Sequence, residues 1–194
     1  MNRRDFVTRM TGSGLLVATV FAAGCTTSGM DTPTDAASKR KQIDAGVDGA
    51  LNRLFASVAG SQDLANRAQG ILVFPRVISA AIGVGGEYGE GALRSQGSTV
   101  GYYKTSSASI GASLGGQSKA IILMFMTPDA YSKFRNSSGW TAGADAGVAL
   151  AKLGANGQLD TNTAQQPVIG FVQNNSGLMF DVSINGAKIS KLDI

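Results

Sequence analysis

The spacing of apolar positions changes character twice along the chain. Leu15 to Ala23 are almost continuously apolar. Ile43, Val47, Leu51, Leu54, Phe55 and Val58 then recur at helical spacing, with Asp44, Asp48, Asn52 and Arg53 off that stripe. This predicts an amphipathic helix that buries the stripe in a core. Ser61 reads as the N-cap of a second, short helix through Leu64 and Ala68, stopped by Gly70. From Gly70 onward the period is two and β-formers dominate. The strands expected are 71–74 (ended by Pro75), 78–92, 100–103, 108–114, 120–126, 140–150, 168–173, 178–184 and 188–192. Thr127-Pro128 supplies an N-cap and a first helical position, so 129–134 is a helical excursion. Asn174 to Gly177 and Asn185-Gly186 read as hairpin turns between the last three strands. Residues 154–167 read as a long polar loop. The pattern predicts an α+β domain, with N-terminal helices packed on a Gly-rich, mainly antiparallel β-sheet or barrel-like core.

The first apolar stretch has another meaning. Arg3, Arg4 and Arg9 precede it, with Asp5 as the one acid, and Ala22-Ala23-Gly24-Cys25 follows it. Positive residues, a short apolar run and small residues before a cleavage point form a secretory signal. The run is too short for a stable span of ~20 residues. Cys25 is the single cysteine of the chain, and its place directly after small residues makes it the expected lipid-bearing first residue of a mature lipoprotein. Several acyl chains at ~0.8 kcal/mol per buried CH2 hold such a protein on a membrane. Thr26, which is not Asp, favours the outer membrane in the usual sorting rule. The expected location is therefore a bacterial outer membrane, facing the periplasm. Arg3 and Arg4 fit a twin-arginine export motif and equally a general secretory signal. Residues 1–24 are read as the signal, 25–38 as a flexible tether, and 39–194 as the domain.

Charge follows from this division. Removing residues 1–24 takes three arginines and one aspartate, lowering the net charge from +4 to +2. No basic block remains to point to nucleic acid.

Three strands carry small residues on one face. Gly83, Gly85, Gly89 and Gly91 surround Glu87; Ser109, Gly111, Ser113 and Gly115 repeat the texture; Thr141, Gly143, Asp145 and Gly147 do so again. Glycine weakens a strand, so such a face admits a close neighbour: a packed sheet, the inside of a small barrel, or a ligand. Glu87 and Asp145 on that face must be exposed, paired or liganded. If they converged in a cleft, they would form a two-carboxylate site.

The catalytic inventory is thin. Gly111 to Gly115 spells G-x-S-x-G, but the chain has no histidine to serve as the base of a triad. The absence of histidine and the single cysteine also remove the usual zinc and haem ligand sets. The glycines of 83–91 do not form G-x-G-x-x-G, and no phosphate-binding loop is present. The expectation is a protein that is not an enzyme, with no cofactor and no metal.

Several ordered blocks carry a family resemblance. They are Gly70-Ile71-Leu72-Val73-Phe74-Pro75; Gly83 with Gly85-Gly86 and Tyr88-Gly89-Glu90-Gly91; and Gly115-Gly116-Gln117-Ser118 leading into Ile121 to Met126. Trp140 to Ala146 follows, and then Ser176-Gly177-Leu178 with Asp181-Val182-Ser183. Together they resemble the SYLF domain over roughly residues 40–192. The resemblance implies membrane binding, since eukaryotic members bind phosphoinositides and some bind or bundle actin, while bacterial members are mostly exported or lipidated. Gln69 stands where Lys is common, and Lys119-Ala120 where an acid is frequent. The first helix is not notably basic, so phosphoinositide specificity is not expected to transfer. The function expected is lipid or membrane-surface binding, with Arg76, Arg94, Lys104 and Lys119 as head-group contacts and a phospholipid as possible ligand. The alternative is a structural or protein-interaction module of the cell envelope.

Overall fold

The computed structural model describes residues 33–82, 84–110, 117–152, 159–179 and 182–194. The expectations for Arg3, Arg4, Cys25 and the 111–115 motif lie outside them. Helix α1 spans Pro33–Ser57. It begins inside the segment assigned to the tether, so residues 33–38 are helical. Proline suits a first turn because it has no N–H to leave unpaired, and Asp35 complements the positive helix start. Ile43, Val47, Ala50 and Leu54 of α1 are buried as a stripe that Val58 continues just past its end, with Leu51 and Phe55 half-buried beside it. Helix α2, Ser61–Arg67, is capped differently from expectation. Gly60 is its N-cap at φ +82°, a left-handed conformation that suits glycine. Ser61 lies inside the helix, and its buried hydroxyl donates back to the Val58 carbonyl at 2.6 Å.

Among the described residues, nine strands form one sheet: β1 (Gly70–Ile82), β2 (Val84–Ser95), β3 (Ser98–Ile110), β4 (Gln117–Phe125), β5 (Trp140–Thr141), β6 (Ala149–Leu150), β7 (Val168–Asn174), β8 (Gly177–Leu178) and β9 (Lys188–Lys191). Their order is β5-β9-β3-β2-β1-β4-β7-β6, with β8 beside β7. The described pairings are antiparallel except β6 with β7. The sheet curls strongly into a half-barrel with α1 packed against it, as the α+β reading expected.

Several boundaries moved. Pro75 does not end a strand, because β1 runs through it in the middle of the sheet. The pairing with β2 shifts register between Val73 and Arg76, and that with β4 between Phe74 and Val77. A bulge at this point lets proline sit in a central strand without breaking a ladder bond. The expected strand 78–92 is instead divided between the antiparallel β1 and β2, and 100–103 and 108–110 belong to one strand, β3, while 111–114 lie outside the described residues. The expected strand 140–150 is reduced to β5 and β6 around a turn, and 178–184 to β8. Asn174 and Gly177 pair as a hairpin end, but β9 leaves β8 and joins β3 across the sheet. The polar loop 154–167 contains helix α4, Thr161–Ala164, capped by Asp160.

The sheet separates two cores. Val73, Ala92, Ile122, Met124, Ile169 and Phe171 meet the α1 stripe on one face. Leu72, Phe74, Leu93, Leu123 and Phe125 point to the other, under helix α3 (Pro128–Asn136) and the chain around Trp140 and Ile184. Thr127 caps α3 as expected, accepting the Ala130 N–H at 3.2 Å.

Candidate functional site

Two glycines in the interior of α1 weaken a helix by roughly 1 kcal/mol each relative to alanine, so their placement needs a cause. At Gly46 the cause is contact. A Cβ there would stand 2.9 Å from the Pro75 ring, at the bulge of β1. Helix and sheet therefore approach closely at this point, and a groove opens beside it between α1 and the β1–β2 ribbon, with a volume of about 870 Å3. Lys39 and Arg53 line it from the helix, and Arg76 and Glu90 from the strands. Its apolar part is the cross-strand pair Ile78 and Tyr88. Both are exposed, at 47% and 50%, although large apolar side chains are usually covered. The Lys39 ammonium meets Glu90 Oε1 at 2.9 Å. The Tyr88 hydroxyl donates to the same oxygen at 2.8 Å. Desolvation, this hydrogen bond and the Glu90 charge push the Tyr88 phenol up to about 12, so it remains a donor across the biological pH range.

The opposite face of the sheet carries a second polar cluster. Lys119 on β4 reaches Glu87 on β2 at 2.7 Å, across the intervening β1. The Ser79 hydroxyl donates to Glu87 at 2.8 Å and that of Ser107 at 3.3 Å. Burial raises the Glu87 pKa, but the bonds from Lys119, Ser79 and Ser107 and the Lys119 charge outweigh it, and the net shift is downward. Glu87 therefore stabilises the folded state above its ordinary value of 4.5, and this contribution is lost as pH falls through the lowered folded value. Acid titration of unfolding should show a steeper loss below about pH 4.5 in the native protein than in Glu87→Gln. Equal slopes would mean that the ion pair adds nothing.

A third set fastens α1 to the sheet. Arg94 on β2 meets Asp48 at 2.8 Å and Asp44 at 3.6 Å. Asp44 also accepts the hydroxyls of Thr99 at 2.7 Å and Tyr102 at 2.8 Å.

Asp145 belongs to none of these. It is exposed in the turn after β5, where its carboxylate accepts the Thr141 N–H at 2.6 Å. A two-carboxylate site would have needed Glu87 and Asp145 to converge; instead Glu87 bonds Lys119, Ser79 and Ser107, and Asp145 bonds the Thr141 N–H in a turn. Among the described residues, no three His, Cys, Asp or Glu side chains gather as a metal site would require.

Residues 106–193 match the family model described as Ysc84, Las17-binding protein actin regulator. That match falls within the stretch whose ordered blocks resemble the SYLF (Ysc84) domain and supports the resemblance. No curated protein matches the chain. In this domain the four cations expected to contact head groups part company. Arg76 lines the groove. Lys104 is exposed on the neighbouring strand, directly across from Glu90. Arg94 and Lys119 are held in ion pairs with acids, so both fail as free head-group contacts. Sequence reasoning missed Lys39, Ile78, Glu90 and the groove-facing role of Arg53. The spacing of Lys39, Gln42, Gly46, Gly49 and Arg53 did mark a second helical stripe beside the apolar one.

On β2 two glycines of the Gly-rich face are required by close packing, whereas Gly147 faces open space. A Cβ on Gly89 would stand 2.7 Å from Val77 Cγ2, and one on Gly91 would collide with the Val73 carbonyl oxygen. Both glycines lie against the bulged part of β1, which crowds β2.

Proposed function

We propose that this protein is a lipid-anchored component of a bacterial envelope whose SYLF domain binds lipid at the membrane surface and catalyses no reaction. The anchor is Cys25, after removal of residues 1–24, and the location is the outer membrane facing the periplasm. The arginine-led, briefly apolar N-terminus with its lone cysteine supports this part. One observation supports the domain's role: a groove that sets Arg53 and Arg76 beside the exposed pair Ile78 and Tyr88. Cations near an apolar ledge suit a phosphate head group above an acyl chain, since arginine is the side chain suited to phosphate recognition. Because acyl chains on Cys25 already secure attachment, the domain's affinity serves to select or hold lipid and not to anchor the protein.

Flotation with phospholipid vesicles tests the reading. The domain from Asp31 to Ile194 is a compact unit that contains both cores, so it is assayed without the anchor. It should float with vesicles, and the double variant Arg53→Ala/Arg76→Ala should bind roughly tenfold less or weaker still. A domain that stays at the bottom with every vesicle removes lipid binding from the proposal. In cells, Cys25→Ser should move the protein from the membrane to the soluble fraction.

A further inference from the structure

A groove meant for highly charged anions gains nothing from acids in its wall, yet Asp35 and Glu90 line this one. Against Lys39, Arg53 and Arg76 they leave a net charge of +1. That balance matches a single phosphodiester. A head group carrying several phosphates would be pushed away by Asp35 and Glu90 once its first charge had been met.

Glu90 itself is arranged to take a further donor. The bonds from Lys39 and from the Tyr88 hydroxyl both fall on Oε1, and among the described residues Oε2 is the carboxylate oxygen offered to a ligand. The Tyr88 ring beside it is half exposed, and an aromatic face attracts a cation. A carboxylate oxygen next to an aromatic ring recognises an ammonium group. Arg53 and Arg76 in the same groove recognise a phosphate. We infer that the groove between α1 and the β1–β2 ribbon selects a phospholipid with a zwitterionic aminoethyl phosphate head group, its phosphate on Arg53 and Arg76 and its amine on Glu90 and Tyr88. This inference rests on the lipid-binding reading and adds a head-group class to it. A primary amine donates N–H bonds to Glu90, whereas a trimethylated amine has none to donate, so the groove also tells the two apart.

The test uses the Asp31–Ile194 domain and three vesicle sets: phosphatidylcholine alone, and phosphatidylcholine enriched equally in phosphatidylethanolamine or phosphatidylglycerol. The expected order places the ethanolamine vesicles first, roughly fivefold above the other two, the scale of one partly exposed charge contact. Glu90→Gln should erase that preference while retaining binding, because Arg53 and Arg76 remain. A stronger response to phosphatidylglycerol in the native domain overturns the inference and leaves the lipid reading in place. An ethanolamine preference that survives Glu90→Gln overturns the assignment to this groove. Failure to bind any of the three vesicles removes the lipid reading itself, so the two failures are distinguishable. The native comparison decides the head-group question even if the variant is misfolded, and circular dichroism checks the variant.

Discussion

Phe134→Ala is expected to destabilise the domain by about 3–5 kcal/mol. Helix α3 fully buries Ala130 and Phe134 and packs Tyr131 half-buried against the same core, and Phe134 is its largest fully buried side chain. That ring stacks on Phe125 at 4.8 Å, meets Tyr103 at 5.0 Å and takes the edge of Trp140 at 5.6 Å. Its removal would open a cavity among β3, β4 and β5 that backbone pairing prevents from collapsing. Each aromatic pair adds about 0.5–1.5 kcal/mol beyond area burial, so the upper part of the range is expected. Chemical denaturation gives the number. Fluorescence gives an independent signal, because Trp140 is the one tryptophan of the chain and is 2% exposed. Its emission should shift to the red as water reaches the cavity. A loss below about 1 kcal/mol, with unshifted emission, would show that the aromatic cluster is not packed as described.

The second large effect is expected at Gly91. A methyl group there overlaps the Val73 carbonyl oxygen and presses on Phe74 Cδ1. Backbone cannot rotate out of the way as a side-chain end can, so β1 and β2 must separate at the bulge. Overpacking costs typically about 1–3 kcal/mol, and occasionally more, and this position belongs at or above the top of that range. Gly86→Ala is the control on the same strand. Its nearest neighbour would be the Ser107 carbonyl at 3.6 Å, an ordinary contact, and its effect on stability should be small. Thermal melts of both variants decide the matter. If Gly91→Ala melts with the native protein, the close approach of the two strands is wrong.

These two positions show how differently residues advertise themselves. Phe134 sits in a helix announced by Thr127-Pro128, and its burial follows from an apolar residue four positions after Ala130. The glycine texture of β2 was equally visible, but its cause was not. Packing, barrel interior and ligand approach all call for glycine, and only the bulge at Pro75 decides among them. The site shows the same split. Arg76 lines the groove, yet from the sequence Arg94 and Lys119 looked equally available. Their acids stand 46 residues away on α1, for Asp48, and 32 residues away on β2, for Glu87. Pairing over such separations leaves no periodic trace.

What the chain's order of residues determined alone was local. The stripe from Ile43 to Val58, the cap at Thr127, the Asn174–Gly177 turn and the division into leading helices and later strands all follow from contacts within a few positions. The family blocks were legible for the same reason. The tertiary structure alone decided which strands became neighbours: it sent β9 across to β3, carried β1 through Pro75, and placed Asp145 in a turn on the Thr141 N–H while Glu87 took Lys119. It also decided that Ile78 and Tyr88 remain uncovered beside α1. Hydrophobic alternation specifies which side of a strand is apolar, but not which element covers it. Covering depends on where distant helices dock, and α1 docks at Pro75 through Gly46, leaving the groove open beside that contact.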